Sequence, residues 1–263
     1  MPIGKVKILW LVPKLLMGQP LLKEHMIANK KCLFLLVFLV TCLGSYSQSV
    51  TKSIIHHVYD GLVGLDNTGL FNGPEFKDQY LDSWDDSHIY LNSSAIMSGT
   101  VVYNNQFYTK VLMKYDILED NLIIRSNDKL NHFLIKPLSG NISQFRIHNK
   151  TFVRLMDEKL NLEGNGFFEA ALQGERVSLY IKQVKKRKRQ TVDNVLQYRF
   201  YQDNYYVLLY KGKYHTIFSI KDLKNVIPDK YKQIRNFQKQ NKTLYRNNMD
   251  SFMTSLVKFL DAN

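Results

Sequence analysis

The stretch that most restricts this chain is FYTKVLMKYDI, residues 107–117. Phe107, Thr109, Val111, Met113, Tyr115 and Ile117 share one parity; Tyr108, Lys110, Leu112, Lys114 and Asp116 share the other. Apolar residues recurring at every second position suit a strand, whose side chains leave opposite faces in turn. The pattern continues in NHFLIKP, ISQFRIH, TFVRL, FFEAALQ, VSLYIKQV, LQYRFYQ, YYVLLY and YHTIFSI, spread over 131–220. Between them lie SGN, HNK, QGE, QDN and KGK, rich in the Gly, Asn and Asp that tight turns need. Asn104-Asn105 and Glu119-Asp120-Asn121 supply two earlier turns. Short strands at near-regular spacing predict a mainly β chain with C-terminal helices (α+β). The expected architecture is an antiparallel meander forming a curved sheet, a sandwich or a partly open barrel.

The period changes near 220. Ser219 precedes Asp222 by three residues, as at a helix start, and Pro228 suits the first turn of a second helix. Tyr231, Ile234 and Phe237 recur at helical spacing. Phe252, Met253, Leu256, Val257 and Leu260 form the apolar stripe of a last helix beginning near Met249. The segment 56–90, dense in Gly, Asn and Asp, reads as loops and short elements laid across the sheet.

Residues 26–47, MIANKKCLFLLVFLVTCLGSYS, follow the plan of a secretory signal peptide. Lys30 and Lys31 precede an apolar run from Cys32 to Leu43, and Ser45-Tyr46-Ser47 is a small-x-small cleavage site before Gln48. The run falls well short of the ~20 residues of a spanning helix. Residues 1–25 read as a leader or, preferably, as sequence upstream of a true start at Met26. Leu39-Val40-Thr41-Cys42 loosely matches a lipobox, which would make Cys42 a lipidation site, although Thr fits poorly before the cysteine. The expectation is an exported protein, in the periplasm, at the outer membrane or secreted. It has no transmembrane span after cleavage and one domain over 48–263, helical from about 220. Both cysteines, Cys32 and Cys42, precede the cleavage site, so the mature chain would carry neither disulfide nor thiolate metal site.

Charge is concentrated. The chain carries +13, of which residues 1–47 hold six Lys/Arg against one Glu. Six more cations and no acid fall within 182–189, and a milder basic stretch spans 221–246. The run Lys185, Lys186, Arg187, Lys188 and Arg189 resembles a nuclear-import signal or a nucleic-acid contact. Behind an export signal it reads instead as the solvated loop of a long hairpin. Val177, Leu179 and Ile181 lead in, and Leu196, Tyr198 and Phe200 lead out. As a loop it would be dispensable: deleting 185–190 is expected to leave stability almost unchanged. Its available partners would be anionic lipid, glycan or another envelope protein rather than nucleic acid.

Motifs for chemistry are sparse. His56, His57, His88, Asp60, Asp82, Asp85 and Asp86 are the metal-site candidates, but no zinc or EF-hand spacing joins them, and solvated loop side chains are the preferred reading. There is no G-x-S-x-G elbow and no phosphate loop. Glu169 and Glu175 could form a carboxylate pair but read better as surface residues. Tyr198, Tyr201, Tyr205, Tyr206, Tyr210 and Tyr214 crowd three strands; they could stack on sugars or bases, yet Tyr is also a favoured strand residue. No cofactor and no catalytic residue is expected.

Four phrases carry a resemblance: GLVGLDNTGLFNGPEF (61–76), SGTVVYNNQFYTKVLMKYDILEDNLII (98–124), GFFEAALQGERVSLYIKQVKKR (166–187) and YYVLLYKGKYHTIFSIKDLKNVIPDKYKQIRNFQKQNK (205–242). Gly99, Val101, Tyr103, Asn104, Gln106, Tyr108, Tyr115 and Asp116 match a strand-pair motif. Lys221, Asp222, Leu223, Pro228, Asp229, Lys230, Ile234 and Phe237 match a tail motif. The chain resembles a family of exported, β-rich envelope proteins of flavobacteria and their relatives. That resemblance implies an envelope setting and a β-rich fold, and carries over no activity. The function expected is a non-enzymatic binding or structural module. The alternatives are a periplasmic hydrolase and, last, a nucleic-acid binder acting through 185–189.

Overall fold

Two-residue turns set the strand pairs. Asn104 and Asn105 (φ 49° and 61°) join β1 (Met97–Tyr103) to β2 (Gln106–Asp116). His148 and Asn149 (φ 51° and 60°) join β5 (Ile142–Ile147) to β6 (Lys150–Arg154). Lys211 and Gly212 (φ 50° and 70°) join β11 (Tyr205–Tyr210) to β12 (Lys213–Ile217). In each turn both residues are left-handed, which matches the twist of the strands they connect. The computed structural model describes residues 64–80, 87–126, 132–156, 160, 166–192 and 194–262. The expected signal peptide, the expected cleavage site Ser47–Gln48, Cys42, His56, His57, Asp60, Asp82, Asp85 and Asp86 lie outside them.

The remaining strands are β3 (Asn121–Arg125), β4 (Leu134–Ile135), β7 (Phe167–Leu172), β8 (Val177–Lys182), β9 (Lys185–Val192) and β10 (Val195–Gln202). Ten of the twelve form one antiparallel sheet in the order β12-β11-β8-β7-β6-β5-β1-β2-β3-β4, which is not closed into a barrel. It departs from a plain meander twice. After β4 the chain returns to the far side of β1, where β5 pairs. Strands β9 and β10 leave the sheet and pair only with each other.

The alternation of FYTKVLMKYDI does not survive intact. A bulge shifts the β1–β2 register between Gly99 and Val101, where Thr109 and Lys110 of β2 stand against Thr100 alone and Lys110 takes φ 54°. The extra residue inverts the parity. Tyr108 is therefore buried and Phe107 is 48% exposed, while Val111, Met113 and Tyr115 face the core. A Cβ on Gly99 would stand 2.3 Å from the Arg146 carbonyl, so only glycine lets β5 approach there.

The two largest of four apolar clusters among the described residues hold most of the sheet. In the first, Tyr115, Phe145, Phe152 and Phe167 from β2, β5, β6 and β7 converge; Tyr115 lies 5.0 Å from Phe145 and 4.9 Å from Phe152, edge to face. The second lies under the C-terminal helices α1 (Leu223–Val226), α2 (Tyr231–Gln240), α3 (Lys242–Asn247) and α4 (Met249–Ala262). All five residues of the expected stripe on α4 are buried against Val177, Leu179, Ile181, Tyr206 and Leu208. Asp222 accepts the Phe218 and Ser219 amides just before α1, and Pro228 opens the short turn into α2. Between α2 and α4, part of the stretch QNKTLYRNN folds into α3. Among the described residues between 64 and 91 the chain makes two 3-10 turns and two single bridges, Glu75 to Ile135 and Tyr90 to Asp116, as a covering segment should.

Candidate functional site

The basic run is a strand, not a loop. In β8–β11, Lys182 faces Tyr205 and Ile181 faces Tyr206; in β9–β10, Lys185 faces Gln202 and Val192 faces Val195. The residue numbers of every pair total the same, so 177–210 is one long hairpin in a single register. Its strands stay paired as far as Val192 and Val195, so the hairpin closes beyond KKRKR. A break at 183–184 and 203–204 separates the half inside the sheet from the half that leaves it. There Asn204 Oδ1 accepts the Val184 amide at 3.0 Å and the Val184 carbonyl accepts the Asp203 amide at 2.9 Å.

The ribbon's two faces differ. Lys185, Arg187 and Arg189 share one face with Phe200 and Tyr198, their cross-strand partners or neighbours. This face lies on Tyr80 and Ile89. Phe200 is buried, and its amide and carbonyl bond to Ser87 Oγ at 2.8 and 3.3 Å. Arg187 stacks over Tyr80 and Tyr198 at 5.6 and 5.1 Å and donates to the Tyr80 hydroxyl. Lys185 is half-buried: its ammonium donates to the His88 and Tyr90 carbonyls at 2.5 and 3.0 Å, and its backbone amide to Ile117. Burial holds its pKa below the ordinary lysine value.

The opposite face carries Lys186, Lys188, Arg199 and Tyr201, all exposed. Lys186 pairs with Asp203. Among the described residues no carboxylate pairs with Lys188, Arg189 or Arg199. The five candidates 185–189 thus separate into an anchoring lysine, a stacked arginine, a paired lysine and two cations open to solvent. Arg199, 10 residues downstream in sequence, joins the open pair. Lys182, counted with the basic run by sequence, lies inside the fold at 3% exposure, with its ammonium 2.5 Å from Asp120. With Phe200 and Lys185 built into the fold, the dispensability expected of 185–190 no longer holds.

A second polar locus fills the hairpin's break. Gln183 Nε2 donates to Glu169 at 2.7 Å and Asp250 at 3.2 Å, and its Oε1 accepts Gln202 and Asn204 at 2.7 and 3.0 Å. Asn204 and Tyr206 also donate to Asp250, and Lys150 pairs with Glu169 at 2.6 Å. The cleft here measures about 670 Å³. All four hydrogen-bonding positions of Gln183 are used within the protein, and both Asp250 oxygens accept twice. The network therefore locks the ribbon to β7, β11 and α4. Burial and Asp250 push the Tyr206 hydroxyl well above the ordinary tyrosine value.

Glu169, expected at the surface, is buried in this network because β7 is covered on both sides. Glu175 lies apart in the β7–β8 turn, whose amides bond to Asp261. His88 is set by Lys185 and the Tyr90 amide, and burial and the Lys185 charge lower its pKa. Among the described residues no three His, Cys, Asp or Glu side chains converge to hold a metal ion. The tyrosines do not form one platform: Tyr198 meets Tyr80, Tyr205 meets Phe168, Tyr214 meets Tyr180 and Tyr206 meets Asp250. Sequence reasoning missed Arg199 and the Gln183–Asn204–Asp250 junction. The unbroken register from VSLYIK to KKRKRQTV was the signal that could have found the ribbon. No family model, curated protein or solved structure matches the chain.

Proposed function

We propose that this protein is an exported, non-catalytic binding module of the cell envelope, and that it holds an anionic partner on the β9–β10 ribbon. One observation carries the reading: Lys188, Arg189 and Arg199 stand exposed on a two-stranded ribbon outside the ten-strand sheet, without carboxylate partners among the described residues. Charged edge strands also discourage sheet-to-sheet aggregation. That role needs only scattered charge, whereas the sequence 185–202 has six cations and one acid. The self-satisfied junction at Gln183 holds the ribbon at a set angle, as a preorganised contact surface requires. The export signal expected at 26–47 would place it among anionic headgroups and polysaccharides.

The test replaces Lys186, Lys188, Arg189 and Arg199 by Gln and leaves Lys185 and Arg187 in place. The mature protein is expected to sediment with anionic vesicles or to be retained on an anionic polysaccharide, with binding that weakens steeply as salt rises. The variant is expected to lose that binding and keep its melting temperature. Unchanged binding by the variant would end the reading.

A further inference from the structure

A second cationic site lies away from the ribbon, on α2 and α3. From Lys230 to Met249 the chain has six Lys/Arg and no acid. Arg235 and Lys239 stand one turn apart on α2, and Lys242 and Arg246 one turn apart on α3. Like charges at that spacing repel and weaken a helix. Asn241 breaks the two helices apart and caps α2, its side-chain amide donating to the Phe237 carbonyl at 2.9 Å. The break folds the four cations around one concavity of about 480 Å³, completed by Gln238 and Tyr245. Tyr245 is braced from behind by Phe252, 5.1 Å away, which is wholly buried. Arg235 donates to Gln238 at 2.5 Å, which aims its guanidinium along the wall. Among the described residues no carboxylate pairs with any of the four.

This locus differs in kind from the junction at Gln183. There Gln183 and Asp250 are satisfied within the protein; here four cations have no carboxylate partner among the described residues. Four cations lining one concavity make a positive potential that favours a multiply charged anion. Arginine forks and lysine point charges are the side chains that hold phosphate oxygens, and the volume suits a small ligand. We infer that the α2–α3 concavity is a binding site for a phosphate-bearing anion with at least two negative charges, either free in solution or presented as a lipid headgroup. The inference is independent of the ribbon.

Two measurements test it on the mature chain at low ionic strength. One is calorimetric titration with inorganic pyrophosphate. The other is co-sedimentation with phosphatidylcholine vesicles with and without phosphatidic acid. The variants are Arg235→Gln/Arg246→Gln and Lys239→Gln/Lys242→Gln, with the ribbon variant as control. Each concavity variant should melt no lower than the parent, because it removes like-charge pairs. Each should bind about tenfold more weakly or worse, since two charge-assisted contacts are lost. The ribbon variant should bind pyrophosphate as the parent does. Pyrophosphate binding supports a soluble ligand, and binding to phosphatidic acid vesicles alone supports a headgroup. If the parent binds neither, or if the concavity variants bind as tightly as the parent, the site is refuted. Loss confined to the ribbon variant also refutes it and leaves the ribbon proposal standing.

Discussion

Lys182 and Asp120 form the interaction whose removal should hurt this fold most. Their charged atoms are 2.5 Å apart, and the residues are 3% and 5% exposed. Lys182 also donates to the Phe167 carbonyl at 3.0 Å, and Asp120 accepts the Tyr115 hydroxyl at 2.5 Å. The pair ties β8 to the turn after β2, although four strands lie between β8 and β2 in the sheet, so the sheet curls to bring the two together. It therefore clamps the curl. Lys182→Met leaves a buried carboxylate without its cation, and Asp120→Asn leaves a buried ammonium without its anion. Breaking a buried pair from one side costs about 3–5 kcal/mol. With a urea m-value of about 2 kcal/mol/M, the unfolding midpoint of either single variant should fall by roughly 1.5–2.5 M. The double variant Lys182→Met/Asp120→Asn leaves neither charge unpaired, so it should lose clearly less than the sum of the singles. The coupling, of order 1–3 kcal/mol, is read by urea unfolding at pH 7 of the four proteins in the cycle. Losses below about 1 kcal/mol per single variant, as at an exposed pair, or strict additivity in the double, would refute the clamp.

Three further outcomes are expected. Burial pushes the Asp116 carboxyl from its ordinary 3.8 up to about 6, so the fold favours its neutral form. Stability from this group is therefore full below about pH 4, falls as pH rises through 4–6, and then stays low, a loss of up to about 3 kcal/mol. Asp116→Asn keeps an oxygen for the Leu118 and Glu119 amides, so it should unfold later than the parent at pH 7, with the gap closing toward pH 4. A gap that does not vary with pH would contradict the assignment. Deleting 185–190 strips the partner strand from Phe200 and removes the Lys185 anchor, so the melting temperature should drop by about 5 °C or more; an unchanged melt would return the run to the status of a loop. If the chain is exported as proposed, amino-terminal sequencing of the mature form should begin at Gln48, and a lipidated Cys42 as the first residue would overturn that cleavage site.

Much of the fold was legible because its determinants are local. Period-two alternation marked the strands, and Asn104-Asn105, His148-Asn149 and Lys211-Gly212 marked the turns. The stripe from Phe252 to Leu260 marked α4. Each is a property of neighbouring residues, and neighbours settle strand, turn or helix. The inversion at Lys110 was not legible, because a bulge arises from the pairing of two strands and leaves no trace in the alternation of one. The return of β5 to β1 was hidden for the same reason.

The candidate site followed the same division. Sequence by itself determined that a run of cations sits within a long hairpin, and that a second basic stretch lies among helices. Only the tertiary structure decided what each cation does. Lys182 became the interior partner of Asp120, Lys185 the anchor for two carbonyls, Arg187 a stack on two tyrosines, and Lys188, Arg189 and Arg199 exposed cations on the two faces of the ribbon. The reason is physical: a lysine carries the same charge wherever it stands, but its burial and its nearest oxygen are set by strands distant in the chain. The curl of the sheet brings those strands together, and with them the difference between a structural charge and one left for a partner.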